Sequence, residues 1–414
     1  MNMEKIMEDP HIKEFLNSRQ IRKSTKRQYI LRITSYCNFT GKTPTQLIEE
    51  AELEEDNHIR MKNRKIKKYF TEYINYLIEQ RKSPNFIKSS MTTIRSFYNE
   101  YEIELPRNRA KTNKKKRMLT TDDIVGKKHI LKSLEHCNLK YKAIILLMSS
   151  SGMGRSEIVN LKYKDFLKAV SEYYVPSESN LFNIYDVAEN LQENMHDIIG
   201  IWQIKRYKTD MPYITFNSPE SMQAIIYYLL ERFKKNKPVI SVDDWLFESN
   251  GSQIKDSSFT DYFMRLNDTC DFGYIGAQRF FTSHKLRKYF ASTLNKKNVP
   301  ELTTHWFLGH SIDSVTDAYF KLDISALKEQ YKSVVEDLSI ENVIVREITT
   351  KEYDKLLEEL REEKKERENE AAKKHDQIKG MEEKVEWLTA MMKLMVEDPE
   401  MQEKYKDQIA KIMK

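Results

Sequence analysis

The chain has 414 residues, 40% apolar and 32% charged, with a formal net charge of +6. That is the make-up of a polar globular protein with apolar material enough for a core, and no run of 18 or more apolar residues is present to cross a membrane as a helix. Cys37, Cys137 and Cys270 are scattered and odd in number, and the charged N-terminus lacks an apolar signal core, so incidental thiols in a reducing cytoplasm are expected, with no zinc site.

Gly and Pro number only 10 each, which favours long helices over a strand-and-turn protein. Residues 1–104 read as a helical domain. Ser24 and Thr25 precede a stripe of Tyr29, Ile33 and Tyr36, and Ile66, Phe70, Tyr73, Ile74 and Leu77 share one face of the next helix. Ser89 and Ser90 are expected to open a further helix through Met91, Ile94, Phe97 and Tyr98. The polar side of the second helix holds Arg60, Lys62, Arg64, Lys65, Lys67 and Lys68. It is either a solvated face or a phosphate-facing one, with Arg64, Lys65 and Lys68 as the candidate contacts.

Residues 105–118 form a basic linker. From Arg107 to Arg117 there are seven cations and no acid, including Arg107, Arg109, Lys114, Lys115, Lys116 and Arg117. Such a run does not fold alone; it tracks a phosphate backbone or serves as a solubilising tether. Residues 351–414 carry 15 Lys/Arg against 18 Asp/Glu, a net of −3, which leaves +9 for the first 350 residues. This uneven charge favours a polyanionic partner.

A second globular region spans 119–340, with Thr120 as the expected N-cap of its first helix. Residues 141–150 are the most apolar stretch and predict a buried helix; 201–216 predict two short strands around a polar turn at Lys208 to Pro212. Residues 168–200 read as an insertion with a helix at Asp186 to Asp197. In the tail, 345–414, Ile378, Met381, Val385, Leu388, Met392 and Met395 follow a 3,4 spacing, the seam of a coiled coil or of a helix packed back on the body. The fold class is therefore mainly α with a small antiparallel sheet, an α+β domain preceded by a helical domain and followed by a coiled-coil-like helix.

Three segments carry candidate chemistry: SSSGMGRSEIVNLKYKDF at 149–166, TSHKLRKYFASTL at 282–294 and HWFLGHSIDSVTDAYFKLD at 305–323. Each alone is ordinary. In this order and spacing they resemble the boxes of the tyrosine recombinases, the family of lambda integrase, Cre and Xer: a Gly-rich turn with Arg and Ser-Glu, a His-x-x-Arg box, and a Leu-Gly-His box with Tyr319 nine residues after His310. Lys208 sits where the family places a lysine between two strands. The resemblance covers about 119–335. It implies an enzyme that cuts and rejoins double-stranded DNA at specific sites as a homotetramer, with accessory directionality factors as further partners and no cofactor.

The implied chemistry explains the residue types. A phosphodiester repels nucleophiles and gathers charge at the pentavalent transition state. Guanidiniums hold its oxygens through bidentate bonds, and such preorganised donors contribute ~3–4 kcal/mol each. The resemblance assigns Arg155 and Arg287 to that clamp and Tyr319 to attack on phosphorus, leaving a 3′-phosphotyrosine and a 5′-hydroxyl. It assigns Lys208 to protonation of the leaving oxygen, His284 to the tyrosine's deprotonation or phosphate support, and His310 to a hydrogen bond on a non-bridging oxygen. One departure stands out: aligned on Ser156-Glu157, the family's arginine falls at position 154, which is Gly here, and Arg155 is one residue late. His305 and His310 are five apart, off a common helix face, so no metal pair is expected. The alternative readings are a type IB topoisomerase and a DNA-binding relative without catalysis.

Overall fold

Asp9-Pro10, Thr43-Pro44 and Ser83-Pro84 each begin a helix in the same way. The side chain of the first residue accepts a hydrogen bond from a backbone N–H of the first turn, and proline supplies a preset φ where no N–H is needed. These starts organise the N-terminal part of the computed structural model, which describes residues 2–19, 21–106, 123–276, 278–310 and 323–340, and beyond residue 357 a helical stretch at 373–386 with scattered single positions. The chain divides into two units, Met1–Met118 and Leu119–Lys414.

The first unit contains helices α1 (Met3–Glu8), α2 (Pro10–Asn17), α3 (Lys23–Thr40), α4 (Pro44–Asp56), α5 (Lys65–Glu79) and α6 (Pro84–Glu100). Its core is aromatic: Phe15, Tyr36, Tyr73, Phe97 and Tyr98 are fully buried, and the rings of Tyr36 and Tyr73 meet edge-on at 5.1 Å. The apolar stripe of α5 is buried as its spacing predicts. Helix α6, however, starts several residues before the expected Ser89–Ser90. The stronger signal is the Ser83-Pro84 pair, and Ser90 lies buried inside the helix.

The second unit contains α7 (Lys127–Glu135), α8 (Leu139–Ser151), α9 (Arg155–Asn160), α10 (Tyr163–Ala169), α11 (Ile184–Leu191), α12 (Pro219–Lys234), α13 (Asp256–Thr269), α14 (Ser283–Lys296), α15 (Glu301–Phe307), α16 (Ile324–Lys332) and α17 (Val335–Leu338). Among them lie antiparallel two-stranded pairs: β1 (Gly200–Lys205) with β2 (Pro212–Asn217), β3 (Glu248–Ser249) with β4 (Ser252–Gln253), and β5 (Tyr274–Ile275) with β6 (Gln278–Arg279). The mainly helical, small-sheet class is as the sequence predicts.

Helix α8 is the axle of this unit. Every residue from Ala143 to Ser151 is buried, and α12 and α14 pack on it. Its last turn ends in three serines whose hydroxyls donate back to the carbonyls of Leu146 and Leu147, so the polar atoms are satisfied in the core. The inserted helix α11 is shorter than expected and begins at the Asn183 cap. A 3-10 turn, Gln192–Asn194, follows it where the sequence offers no apolar residue for a helical face. No helix among the described residues is long and apolar enough to cross a membrane. In the tail, Ile378, Met381 and Val385 are 55%, 67% and 60% exposed, so these three seam residues do not pack back on the body.

Candidate active site

The site grows from the C-terminal end of α8. Gly152 ends the helix in the left-handed conformation, φ +69°, and a Cβ there would lie 2.4 Å from the Phe290 ring and 2.9 Å from Leu308. Only glycine fits both the backbone and the space. The carbonyls left open at the helix end are met by side chains from three other elements. Tyr331 donates to Ser150 at 2.8 Å, Thr215 to Ser151 at 2.7 Å, and Arg287 Nη1 to Gly152 at 2.6 Å. A cation at a helix C-terminus also suits the macrodipole.

Arg287 lies one turn beyond His284 on α14. The residue is 9% exposed, and its Nη2 donates to the Leu308 carbonyl. Leu308 begins the turn after α15, where Gly309 takes φ +58° and a Cβ would meet the Tyr213 ring at 2.7 Å. The Leu-Gly-His box thus needs its glycine twice, for the turn and for the close approach of β2. The turn brings the His305 and His310 rings to 5.2 Å although they do not share a helix face, because the chain leaves the helix between them. No cluster of three or more His, Cys, Asp or Glu fit for a metal exists among the described residues.

The β1–β2 hairpin closes the other side. Its register pairs Lys205 with Pro212, so the loop is 206–211, and Arg206 is its first residue. Arg206 Nη1 donates to the carbonyls of Leu308 and Gly309, the latter at 2.9 Å. Two guanidiniums therefore share the Leu308 carbonyl. Lys208 stands exposed at the hairpin tip.

The pocket's electrostatics follow from this crowding. Burial, then the Arg206 charge, lower the Arg287 pKa. Burial and the charges of Arg287, Arg206 and Lys208, with His305 beside it, push His310 down to about 4, so its imidazole is neutral at neutral pH. His284 is lowered as well, by burial and by Lys288, Arg287 and Lys285. Tyr213 is buried and its phenol is driven upward by burial and by Glu157, against the pull of Arg287 and Arg206; it remains a protonated donor.

Not every expected residue joins this cluster. Arg155 is the first residue of α9, and its guanidinium turns to α13. There it pairs with Asp256 at 3.2 Å and donates to Thr260 at 2.9 Å. It shares no partner with Arg287, in departure from the expected clamp. At Gly154 a Cβ would lie 2.5 Å from the Glu157 carboxylate, so that carboxylate occupies the space beside position 154. The nucleophile expected at Tyr319 lies outside the described residues, as do the linker cations Arg107, Arg109, Lys114, Lys115, Lys116 and Arg117 and the Thr120 cap. On the first unit, Arg64 is not the free surface cation expected. Its side chain is 10% exposed, pairs with Glu55 at 2.5 Å and donates to the Ile59 carbonyl at 2.8 Å. Lys65 pairs with Glu50 at 2.6 Å, and Lys68 stays exposed beside Glu72 at 3.9 Å. Arg206 and Tyr213, which stand in this cluster, were not among the expected site residues. The signal available for Arg206 was its place two residues before Lys208 in the same polar turn.

The sequence pattern of the phage integrase family matches residues 117–326, half of the chain and all three boxes. The chain belongs to this family, the tyrosine recombinases. Among solved structures, this chain is similar to XerA recombinase at 18% identity, over 78% of this chain and 98% of that one, with a TM-score of 0.32. It is similar to the Tn1549 transposon integrase in complex with transposon right end DNA at 15% identity, over 80% and 99%, TM-score 0.45. To lambda integrase bound to DNA the identity is 16%, over 76% and 93%, TM-score 0.47. No curated protein matches the chain.

Proposed function

We propose that this protein cuts and rejoins double-stranded DNA at specific sites through a 3′-phosphotyrosine formed by Tyr319, with neither metal nor ATP. Membership of the tyrosine recombinase family supports site-specific recombination. The observation that carries the reading furthest is the convergence of Arg287, Arg206 and His310 on one turn, Leu308-Gly309-His310, with the Lys208 charge acting on the same imidazole. Among the described residues neither arginine has a carboxylate ion-pair partner, and a cationic pocket of this kind suits a phosphate diester.

In this reading Arg287 holds a non-bridging oxygen and orients the diester. His310, kept neutral by its cationic neighbours, donates an N–H to the same phosphate without adding a charge that must itself be buried. Lys208, at the end of a hairpin, reaches the leaving 5′-oxygen and gives it a proton. His284, also held neutral-leaning, accepts the proton of the Tyr319 phenol or supports the phosphate. The covalent bond to tyrosine preserves the energy of the broken diester, so the 5′-hydroxyl of a new strand can reverse the step. Exposed Lys68 and the linker cations Arg107 to Arg117 extend the contact along the backbone, and assembly is as a homotetramer on two sites, with accessory directionality factors as further partners.

The test is a suicide duplex, selected from a random pool for tight binding to the full chain and nicked beside the crossover so that the cut end is lost. The expected result is a covalent protein–DNA adduct in the wild type and none in Tyr319→Phe, with DNA affinity kept. Binding without adduct in the wild type would reduce the protein to a DNA-binding module. Relaxation of supercoiled DNA lacking any selected site would favour a topoisomerase.

A further inference from the structure

We propose that Arg206, not Arg155, supplies the second guanidinium of the phosphate clamp. The inference rests on the reading above and names a residue that the family's boxes do not assign.

Two facts count against Arg155 in its present place. Its guanidinium bonds Asp256 through Nε and Nη2 and Thr260 through Nη1, and both partners belong to α13, which contributes no residue to the Leu308 turn. Position 154, where the family's arginine falls, holds glycine, and Glu157 fills the adjoining space. A clamp with Arg287 alone would leave one equatorial oxygen without a charged donor.

Arg206 fills that gap by geometry. It sits at the end of β1, and its Nη1 donates to the same Leu308 carbonyl as Arg287 Nη2 and to Gly309 at 2.9 Å. The two carbonyls fix the guanidinium plane beside that of Arg287. Its Nε is buried and has no partner among the described residues. Nε belongs to the side edge of the guanidinium, the edge that grips a phosphate in bidentate fashion. A second donor stands in the same place: the Tyr213 hydroxyl is buried beside Arg287 and Arg206, and because an arginine can only donate to it, its own O–H has no acceptor among the described residues. Buried donors without acceptors carry a desolvation cost that a bound acceptor would relieve. Two of them, flanking two guanidiniums that have no carboxylate ion-pair partner among the described residues, suit an anion with several acceptor oxygens. A tetrahedral phosphate diester has that form.

The swap has a chemical logic. In the expected arrangement the second arginine comes from the turn after α8. Here the hairpin that carries Lys208 carries the arginine too, so the clamp's second arm and the proton donor move as one element. The charge arriving at the phosphate is unchanged; its mounting differs.

The test uses the full chain and the selected suicide duplex, with Arg206→Gln, Arg206→Lys and Arg155→Gln, each checked for folding by circular dichroism and urea midpoint. Arg206→Gln is expected to slow adduct formation by about 100-fold or more, as loss of one preorganised donor does. Arg206→Lys should recover little of it, because a lysine cannot grip with two bonds. Arg155→Gln should stay within about threefold of the wild type, as expected for a surface ion pair. A second substrate separates contact from scaffolding: a neutral methylphosphonate at the scissile position removes the charge that Arg206 would balance. It should restore a substantial part of the Arg206→Gln rate relative to its own phosphate substrate. Loss of rate in Arg155→Gln but not in Arg206→Gln overturns the proposal, and so does an Arg206→Gln defect that methylphosphonate leaves untouched. If the wild type forms no adduct, the covalent reading fails by itself, and Arg206 is then judged by affinity. Methylphosphonate weakening wild-type binding but not Arg206→Gln binding supports the contact; equal weakening overturns it.

Discussion

At the scale of single residues, the site depends on groups held in unusual states by their neighbours. His310 is the clearest. Its folded pKa of about 4 lies below the ordinary histidine value of roughly 6.5, so between those pH values the unfolded chain binds the extra proton and the folded chain does not. The contribution of this ring to stability is therefore complete above about pH 6.5 and falls as the pH drops toward 4. Urea midpoints at pH 5 and 7.5 should separate more widely in the wild type than in His310→Gln. Equal separations would mean that the ring does not feel the Arg287 and Arg206 charges. His284 has the same sign, and a bound phosphate should relieve both shifts by supplying the missing negative charge.

At the scale of elements, the end of α8 is the joint that holds the site together. Side chains from β2, α14 and α16 donate to three successive carbonyls, those of Ser150, Ser151 and Gly152. One of these bonds can be removed without touching the reacting groups. Tyr331→Phe keeps the ring in the core and deletes only the hydroxyl that donates to Ser150, leaving a buried carbonyl open. The expected cost is about 1–2 kcal/mol in urea unfolding. Adduct formation should be kept at temperatures where the variant is folded. No measurable change in stability would show that the carbonyl finds another donor. The helix starts were legible in advance where cap and proline stood together. The α6 start was misjudged because two serines inside the helix imitate a cap, and only their burial shows that they are not one.

At the scale of the whole molecule, the chain comprises two units with separate cores, and in the second Ile340 donates its N–H to Glu220 at 2.8 Å. Beyond it, Ile378, Met381 and Val385 share a heptad seam and remain exposed. Exposed apolar residues at this spacing are suited to another helix of the same kind. Deleting residues 345–414 should leave binding to a single DNA site nearly unchanged and lower the pairing of two occupied sites, measured by native gel and light scattering. Undiminished pairing in the truncated chain would assign the tail another role.

The order and spacing of the three boxes were enough to read the family, because two of them are marked by local turns whose glycines, Gly152 and Gly309, are visible in the sequence. The mainly helical class followed from scarce Gly and Pro and from the apolar stripes. What the linear chain could not reveal was which cations meet. Arg155 lies within the first box yet turns to Asp256, while Arg206, 81 residues from Arg287 in sequence, shares a carbonyl with it. Arg64 looked like a surface contact and is instead tied to Glu55. A charged side chain on a long flexible stem goes where a partner or a desolvated carbonyl awaits it, and that place is set by packing between elements distant in the chain. Residue type and spacing fix which chemistry is available; tertiary contacts decide which guanidinium delivers it.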